Sequence, residues 1–188
     1  MAAASTDIKQ NLWAFGTRQV VYAAIGAALY GVFSWATNFL ALPAAGNVSL
    51  RPAVAIPMFF GVAFGPLVGF FSGFVGNILG DFLSGWGFYW NWSLGNGIMG
   101  LIPGLMAAAV VSFRHQGTII KAIIYVVIAV VAGMLFASLT EIVVSGIDFS
   151  TAIIGYFWPT ALSNIINGVI LVPILMVAYD SVVNRSGR

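Results

Sequence analysis

The chain has 188 residues, 61% of them hydrophobic and 6% charged, with a net charge of +2 and a mean hydropathy of +1.02. Soluble domains carry roughly 25% charged residues, so seven basic and five acidic side chains exclude a water-solvated globule and leave an apolar, lipid-facing surface. The absence of cysteine excludes disulfides, thiolate metal sites and a cysteine nucleophile, the single His115 excludes a multi-histidine metal centre, and no Lys/Arg cluster points to nucleic acid.

In chain order, the opening MAAASTDIKQ lacks the basic and apolar regions of a cleavable signal. The first apolar run, Val20 to Leu42, is therefore expected to stay in the mature protein as a membrane span, since about 20 apolar residues are enough to cross. Ala53 to Leu79 would make a 27-residue helix with Gly65-Pro66 in its middle. Proline disfavours helical geometry in the residue before it, so the stretch is expected to divide there into two segments, the first starting near Ser49. Trp92 to Ser112, Ala122 to Leu139 and Ile153 to Val177 follow as further spans. The last of these carries Pro159 and Pro173 with Asn164 and Asn167, which predicts a kink.

Charge decides between five spans and six. With six, Lys9, Arg18, Arg114, Lys121, Arg185 and Arg188 fall on one side and only Arg51 on the other, the asymmetry expected when Lys and Arg stay cytoplasmic. The expectation is an all-α bundle of six transmembrane helices with both termini cytoplasmic. No linker divides the chain, so residues 1–188 read as one domain, with 1–19 as a cytoplasmic N-terminal segment.

Small residues recur one turn apart on the first span: Ala23, Ala27 and Gly31 in one row, Ala24 and Ala28 in another. Such a face lets another helix approach closely, from inside this bundle or from a partner. Gly61, Gly65, Gly69, Gly73, Gly76 and Gly80 lie three or four apart and predict a glycine stripe. No Gly-Lys-Ser/Thr follows any of them, so the chain has no ATP-binding motif of its own.

Polar residues within spans usually face a bundle interior or an aqueous cavity. Asn77 and Asp81, and Trp92 and Asn96, share helix faces at a spacing of four, and Asn164 and Asn167 at three. Each asparagine suits an interhelical hydrogen bond or a ligand site. Glu141 follows an apolar run and reads as an interfacial carboxylate at a helix end or as a site residue. Arg51 can pair with Asp81 or Glu141, or bind an anionic ligand group. Trp86, Trp90, Trp92 and Trp158 suit an interfacial belt as well as a site. The segment FLSGWGFYWNWSLGN, Phe82 to Asn96, sets aromatic rings among polar groups and would suit a planar heterocycle or a membrane-surface anchor.

The stretches Ala27-Ala28-Leu29-Tyr30-Gly31, Leu50-Arg51-Pro52-Ala53, Phe64-Gly65-Pro66-Leu67-Val68-Gly69-Phe70, Gly76-Asn77-Ile78-Leu79-Gly80-Asp81 and Gly85-Trp86-Gly87 with Trp90 resemble the substrate-binding S-components of energy-coupling factor (ECF) transporters. These are bacterial vitamin-uptake systems, and the resemblance is to their riboflavin-type group. The stretches run through the N-terminal half; the C-terminal half is similar in hydropathy and length.

The resemblance implies a six-helix bundle in the bacterial cytoplasmic membrane that holds one micronutrient near the outer face. A riboflavin-like vitamin comes first, cobalamin or a thiamine precursor next. Transport is driven by a transmembrane T-component and two ATP-binding subunits. No catalytic residue, metal or intrinsic cofactor is implied, and the vitamin is substrate. The helix-one face, Ala23, Ala27 and Gly31 or the neighbouring Ala24 and Ala28, would dock on the T-component. The loop from Pro43 to Leu50 would act as a lid. The substrate-site candidates are Asn47, Arg51, Asn77, Asp81, Trp92, Asn96, Glu141 and Asn164.

The alternative is an autonomous small channel or secondary transporter. That reading needs polar residues continuing to the inner side, where they thin out. A membrane enzyme needs a Ser-His or two-histidine site, which a lone His115 in an inner loop does not supply.

Overall fold

The computed structural model describes residues 11–40 and 50–186. Six α-helices are present among them: α1 Thr17–Ala36, α2 Ala55–Phe64, α3 Pro66–Leu83, α4 Trp90–Gly104, α5 Gln116–Ser145 and α6 Trp158–Ser186. Short 3-10 turns cover Pro52–Val54 and Ala107–Ala109, and a π-helical stretch, Thr151–Phe157, leads directly into α6. Helices α1, α3 and α5, and the π stretch with α6, are long and apolar enough to cross a membrane; Pro52–Phe64 is a shorter apolar helix.

The break at Gly65-Pro66 has a backbone cause. Gly65 adopts φ 101° and ψ 167°, a conformation that side-chain-bearing residues rarely enter. Pro66 then opens α3 at its first position, where its missing N–H costs nothing. The first half of this region starts later than the sequence suggests, at the Pro52 turn rather than near Ser49.

Other ends also differ from expectation. α1 stops at Ala36, where the Thr37 hydroxyl donates to the Phe33 carbonyl at 2.8 Å. α4 stops at Gly104 rather than Ser112, one residue past the helix-breaking Pro103. α5 runs on to Ser145 and ends at Gly146, whose left-handed φ of 68° caps it. The kink-prone last span begins in π geometry immediately before Pro159, which has no N–H to return to the preceding turn. Asp148 supports that start, accepting from the Thr151 N–H at 3.0 Å and the Thr151 hydroxyl at 2.6 Å. These bonds hold its carboxyl below the usual carboxylate range.

The glycine series serves two neighbours rather than one stripe. A Cβ on Gly69 or Gly73 would overlap the α4 backbone at Gly100 or Asn96, whereas one on Gly76 would meet Tyr30 and the Ala27 carbonyl of α1. The three-residue step from Gly73 to Gly76 turns the row by about 60°, away from α4 and towards α1. Backbone contact thus joins α1, α3 and α4 into one wall.

The two small-residue rows of α1 are separated by this packing. Ala23, Ala27 and Gly31 are buried inside the bundle, and a Cβ on Gly31 would meet Leu79 and the Gly76 carbonyl of α3. Of the two rows expected to offer a docking face, this one is occupied by α3. Ala24 and Ala28 are exposed.

The two ends of the bundle differ. α5 is 30 residues long, or about 45 Å, so Arg114 and Ser145 lie at opposite ends. At the Arg114 end, its guanidinium bonds Asp180 at 2.9 Å. Beside it, Tyr179 packs its ring against Phe59, Phe64 and Phe113 with centroids 5.3 to 5.6 Å apart. Tyr22 stacks on Phe64 at 4.3 Å. Met58, Met99, Val126, Val130, Val172 and Met176 are fully buried within the core.

Candidate functional site

At the other end the helices part around a cavity of about 510 Å³. Arg51 and Val54 enter it from the turn before α2, and Asn77 and Asp81 from α3. Trp86 and Tyr89 come from the α3–α4 connection, and Trp92 and Asn96 from α4. The facing wall is Met134, Glu141 and Ser145 of α5 with Tyr156, Thr160 and Asn164 from the π stretch and α6. Of the eight substrate-site residues expected from sequence, seven line this cavity; Asn47, with nearly all of the expected lid, lies outside the described residues.

The α1–α3–α4 wall is a bonded network. The buried Tyr30 hydroxyl donates to Asn96 Oδ1 at 2.6 Å, and Asn96 Nδ2 donates to Asn77 Oδ1 at 3.1 Å. Arg51 Nη1 donates to the same Asn77 oxygen at 3.0 Å, and Asn77 Nδ2 donates to Asp81 Oδ2 at 2.7 Å. Arg51 Nη2 lies 3.4 Å from Asp81 Oδ1, and its guanidinium stands over the Trp86 ring, 5.1 Å from the centroid. Of the two carboxylates open to Arg51, the structure pairs it with Asp81.

The glycine contacts make this network possible. Where Gly73 lets α3 touch the backbone of Asn96, Asn77 one turn on comes within reach of the Asn96 side chain. Where Gly76 admits the Tyr30 ring, the Tyr30 hydroxyl reaches Asn96. Buried polar groups are costly unless bonded, and this close approach provides the partners.

Glu141 does not mark a helix end at the interface. It is 4% exposed, inside the last turns of α5. Its Oε2 accepts from Asn91 Nδ2 at 2.6 Å and Trp92 Nε1 at 2.8 Å, and Ser145 Oγ contacts its Oε1. The Trp92 and Tyr156 rings meet with centroids 6.0 Å apart. Asn164 directs its amide at the sulfur atoms of Met134 and Met99.

The four tryptophans divide. Trp86 and Trp92 line the cavity, while Trp90 and Trp158 are about half exposed and suit the belt. Sequence reasoning did not single out Tyr30, Tyr89, Asn91, Ser145, Tyr156 or Thr160 as site residues. Tyr156 and Thr160 face the cavity from the π-to-α transition, where Pro159 was the available signal. The Tyr30 hydroxyl is placed by α3 packing, which no local pattern carries.

The family model for the ECF-type riboflavin transporter S component matches residues 14–181. A UPF0397 protein of Vibrio atlanticus (strain LGP32) is 38% identical over 103 residues, covering 55% of this chain and 56% of that protein. UPF0397 proteins of Aliivibrio fischeri (strain MJ11) and Aliivibrio salmonicida (strain LFI1238) are each 41% identical over 88 residues, 47% of either chain. The chain spans about half the length of the curated relatives it matches. The family match agrees with the apolar helices and with the resemblance seen in the motifs: this multi-pass membrane protein belongs to the S-component family of ECF-type riboflavin transporters.

Proposed function

We propose that the chain is the membrane-embedded substrate-binding subunit of an ECF-type importer for a vitamin or related micronutrient. The observation that carries this reading is the convergence of Arg51, Asn77, Asp81, Trp92, Asn96, Glu141 and Asn164 on one cavity. That cavity is aromatic enough for a planar ring and polar enough to orient it. A riboflavin-like ligand is the first candidate, with a thiamine precursor or cobalamin next. A cavity of about 510 Å³ favours the smaller molecules.

In this reading the chain is a single domain whose six helices all cross the bacterial cytoplasmic membrane. Both termini are cytoplasmic, and the cavity opens towards the outer face. It needs no cofactor or catalytic group, because a T-component and two ATP-binding subunits supply the energy. The exposed Ala24 and Ala28 row is the docking face. A channel is disfavoured by the aromatic packing at the Arg114 end, where Tyr22 stacks on Phe64 and Tyr179 packs against Phe59, Phe64 and Phe113.

The test is titration of detergent-purified protein with riboflavin, thiamine precursors and cobalamin, with identification of any co-purifying molecule. Failure of every one to bind more tightly than about 1 μM, a modest affinity of roughly 8 kcal/mol, overturns the reading. Ala28→Trp is expected to abolish uptake in cells carrying the whole importer while ligand binding persists. Ala27→Trp, on the buried row, is expected to damage both.

A further inference from the structure

The two carboxylates of the cavity are not equivalent. Asp81 is compensated: Arg51 pairs with it, and Asn77 donates to it. Among the described residues Glu141, equally buried, is met by the neutral groups of Asn91, Trp92 and Ser145. Two N–H donors converge on Oε2, an arrangement that solvates an anion. Arg51 is the one cation lining the cavity among the described residues, and it is engaged by Asp81, Asn77 and Trp86. Residues 41–49 carry no Lys or Arg in their sequence, so that segment has no cation to offer.

An ionised carboxylate without a counter-charge is expensive to bury. Beside Glu141, Trp92 and Tyr156 present two aromatic rings to the same cavity, 6.0 Å apart and inclined at 45°. Aromatic rings beside a carboxylate form a setting that attracts cations. A neutral ring would leave Glu141 uncompensated, and an anion would be repelled by it.

We infer that the ligand is cationic: a protonated or quaternary nitrogen, on a heteroaromatic or a short amine arm, seats against Glu141 beside Trp92 and Tyr156. This rests on the substrate-binding reading above and deepens it. It puts nitrogenous cations ahead of a neutral flavin. The two halves of the network then have separate tasks. The Arg51–Asp81–Asn77–Asn96 side shapes the cavity, and Glu141 selects by charge.

The experiment offers the purified protein an equimolar mixture of thiamine and pyridoxamine as cations, riboflavin and nicotinamide as neutral rings, and pantothenate and biotin as anions. Retained molecules are released and quantified by mass spectrometry. Retention of a cation at least roughly 100-fold over the neutral and anionic compounds, the scale expected of a buried charge pair, supports the inference. Collapse of that preference in Glu141→Gln completes the support.

Preferential retention of riboflavin, or of any neutral or anionic compound, overturns the inference and leaves the substrate-binding reading standing. A cation preference that survives in a folded Glu141→Gln overturns it as well. If none of the six is retained, the inference is overturned, and the titration with thiamine precursors and cobalamin decides the substrate-binding reading separately. Should Glu141→Gln not fold, the selection made by the wild-type protein decides alone.

Discussion

The two walls of the cavity are built on different principles. The α1–α3–α4 wall packs backbone against backbone, and its polar side chains bond one another from Tyr30 through Asn96 and Asn77 to Arg51 and Asp81. In the α5–α6 wall a π stretch leads into α6, and Tyr156 and Thr160 face the cavity from either side of that transition. Between the walls, Glu141 of α5 is gripped by Asn91 and Trp92 of α4. The contrast teaches that a polar site within an apolar bundle needs one prebuilt side. Satisfied polar groups hold the first wall in place, so the second can offer its groups to a ligand.

Substitutions that strike the first wall should therefore cost stability. Gly100→Val is expected to be the most damaging, at about 3 kcal/mol or more, because even its Cβ would overlap the Gly69 backbone. Loss of a monodisperse peak in detergent is the readout, and a normal peak would show that α3 and α4 need not touch. Asn77→Ala comes next. It removes the group that joins Arg51, Asp81, Ser93 and Asn96 and leaves buried partners unsatisfied. About 2–3 kcal/mol is expected, read as a lower unfolding temperature with and without ligand. Tyr30→Phe deletes the bond to Asn96, for about 1 kcal/mol. A larger loss in ligand affinity than in stability would move Tyr30 from scaffold to recognition.

The smallest effect is expected on the second wall, at exposed Asp148. Its carboxyl is held low by Thr151, so the charged form is favoured in the folded protein. That contribution is fully present above the ordinary carboxylate range and fades as pH falls through the lowered value. Asp148→Ala should therefore unfold slightly earlier than wild type at neutral pH, and the gap should close in acid. A gap that widens in acid would mean that the π stretch is not capped by this carboxylate.

Several parts of the site are legible because their cause is local. Asn77 and Asp81 share a face at a spacing of four, and polar residues in an apolar span have few places to go. The Gly65-Pro66 break is likewise local, since the backbone there suits few other residues. Glu141 was harder to place. An apolar run followed by a carboxylate looks like a helix end, and only the donors from α4 turn that position into a buried anion site. The two rows of α1 are equivalent in sequence, and both consist of small residues one turn apart. Which of them is exposed depends on where α3 lies.

By itself the sequence determined the membrane character, the glycine-rich centre, the break between α2 and α3, and the identity of half of the cavity residues. The first three follow from composition or from spacing within one helix, where geometry is fixed by the helical period, and the cavity residues in part from the family resemblance. Tertiary structure alone decided that Arg51 pairs with Asp81 and leaves Glu141 uncompensated, that Ala24 and Ala28 rather than Ala23 and Ala27 face outward, and that Tyr30 joins the network. These choices depend on contacts between helices distant in sequence, set by glycine positions that allow two backbones to touch.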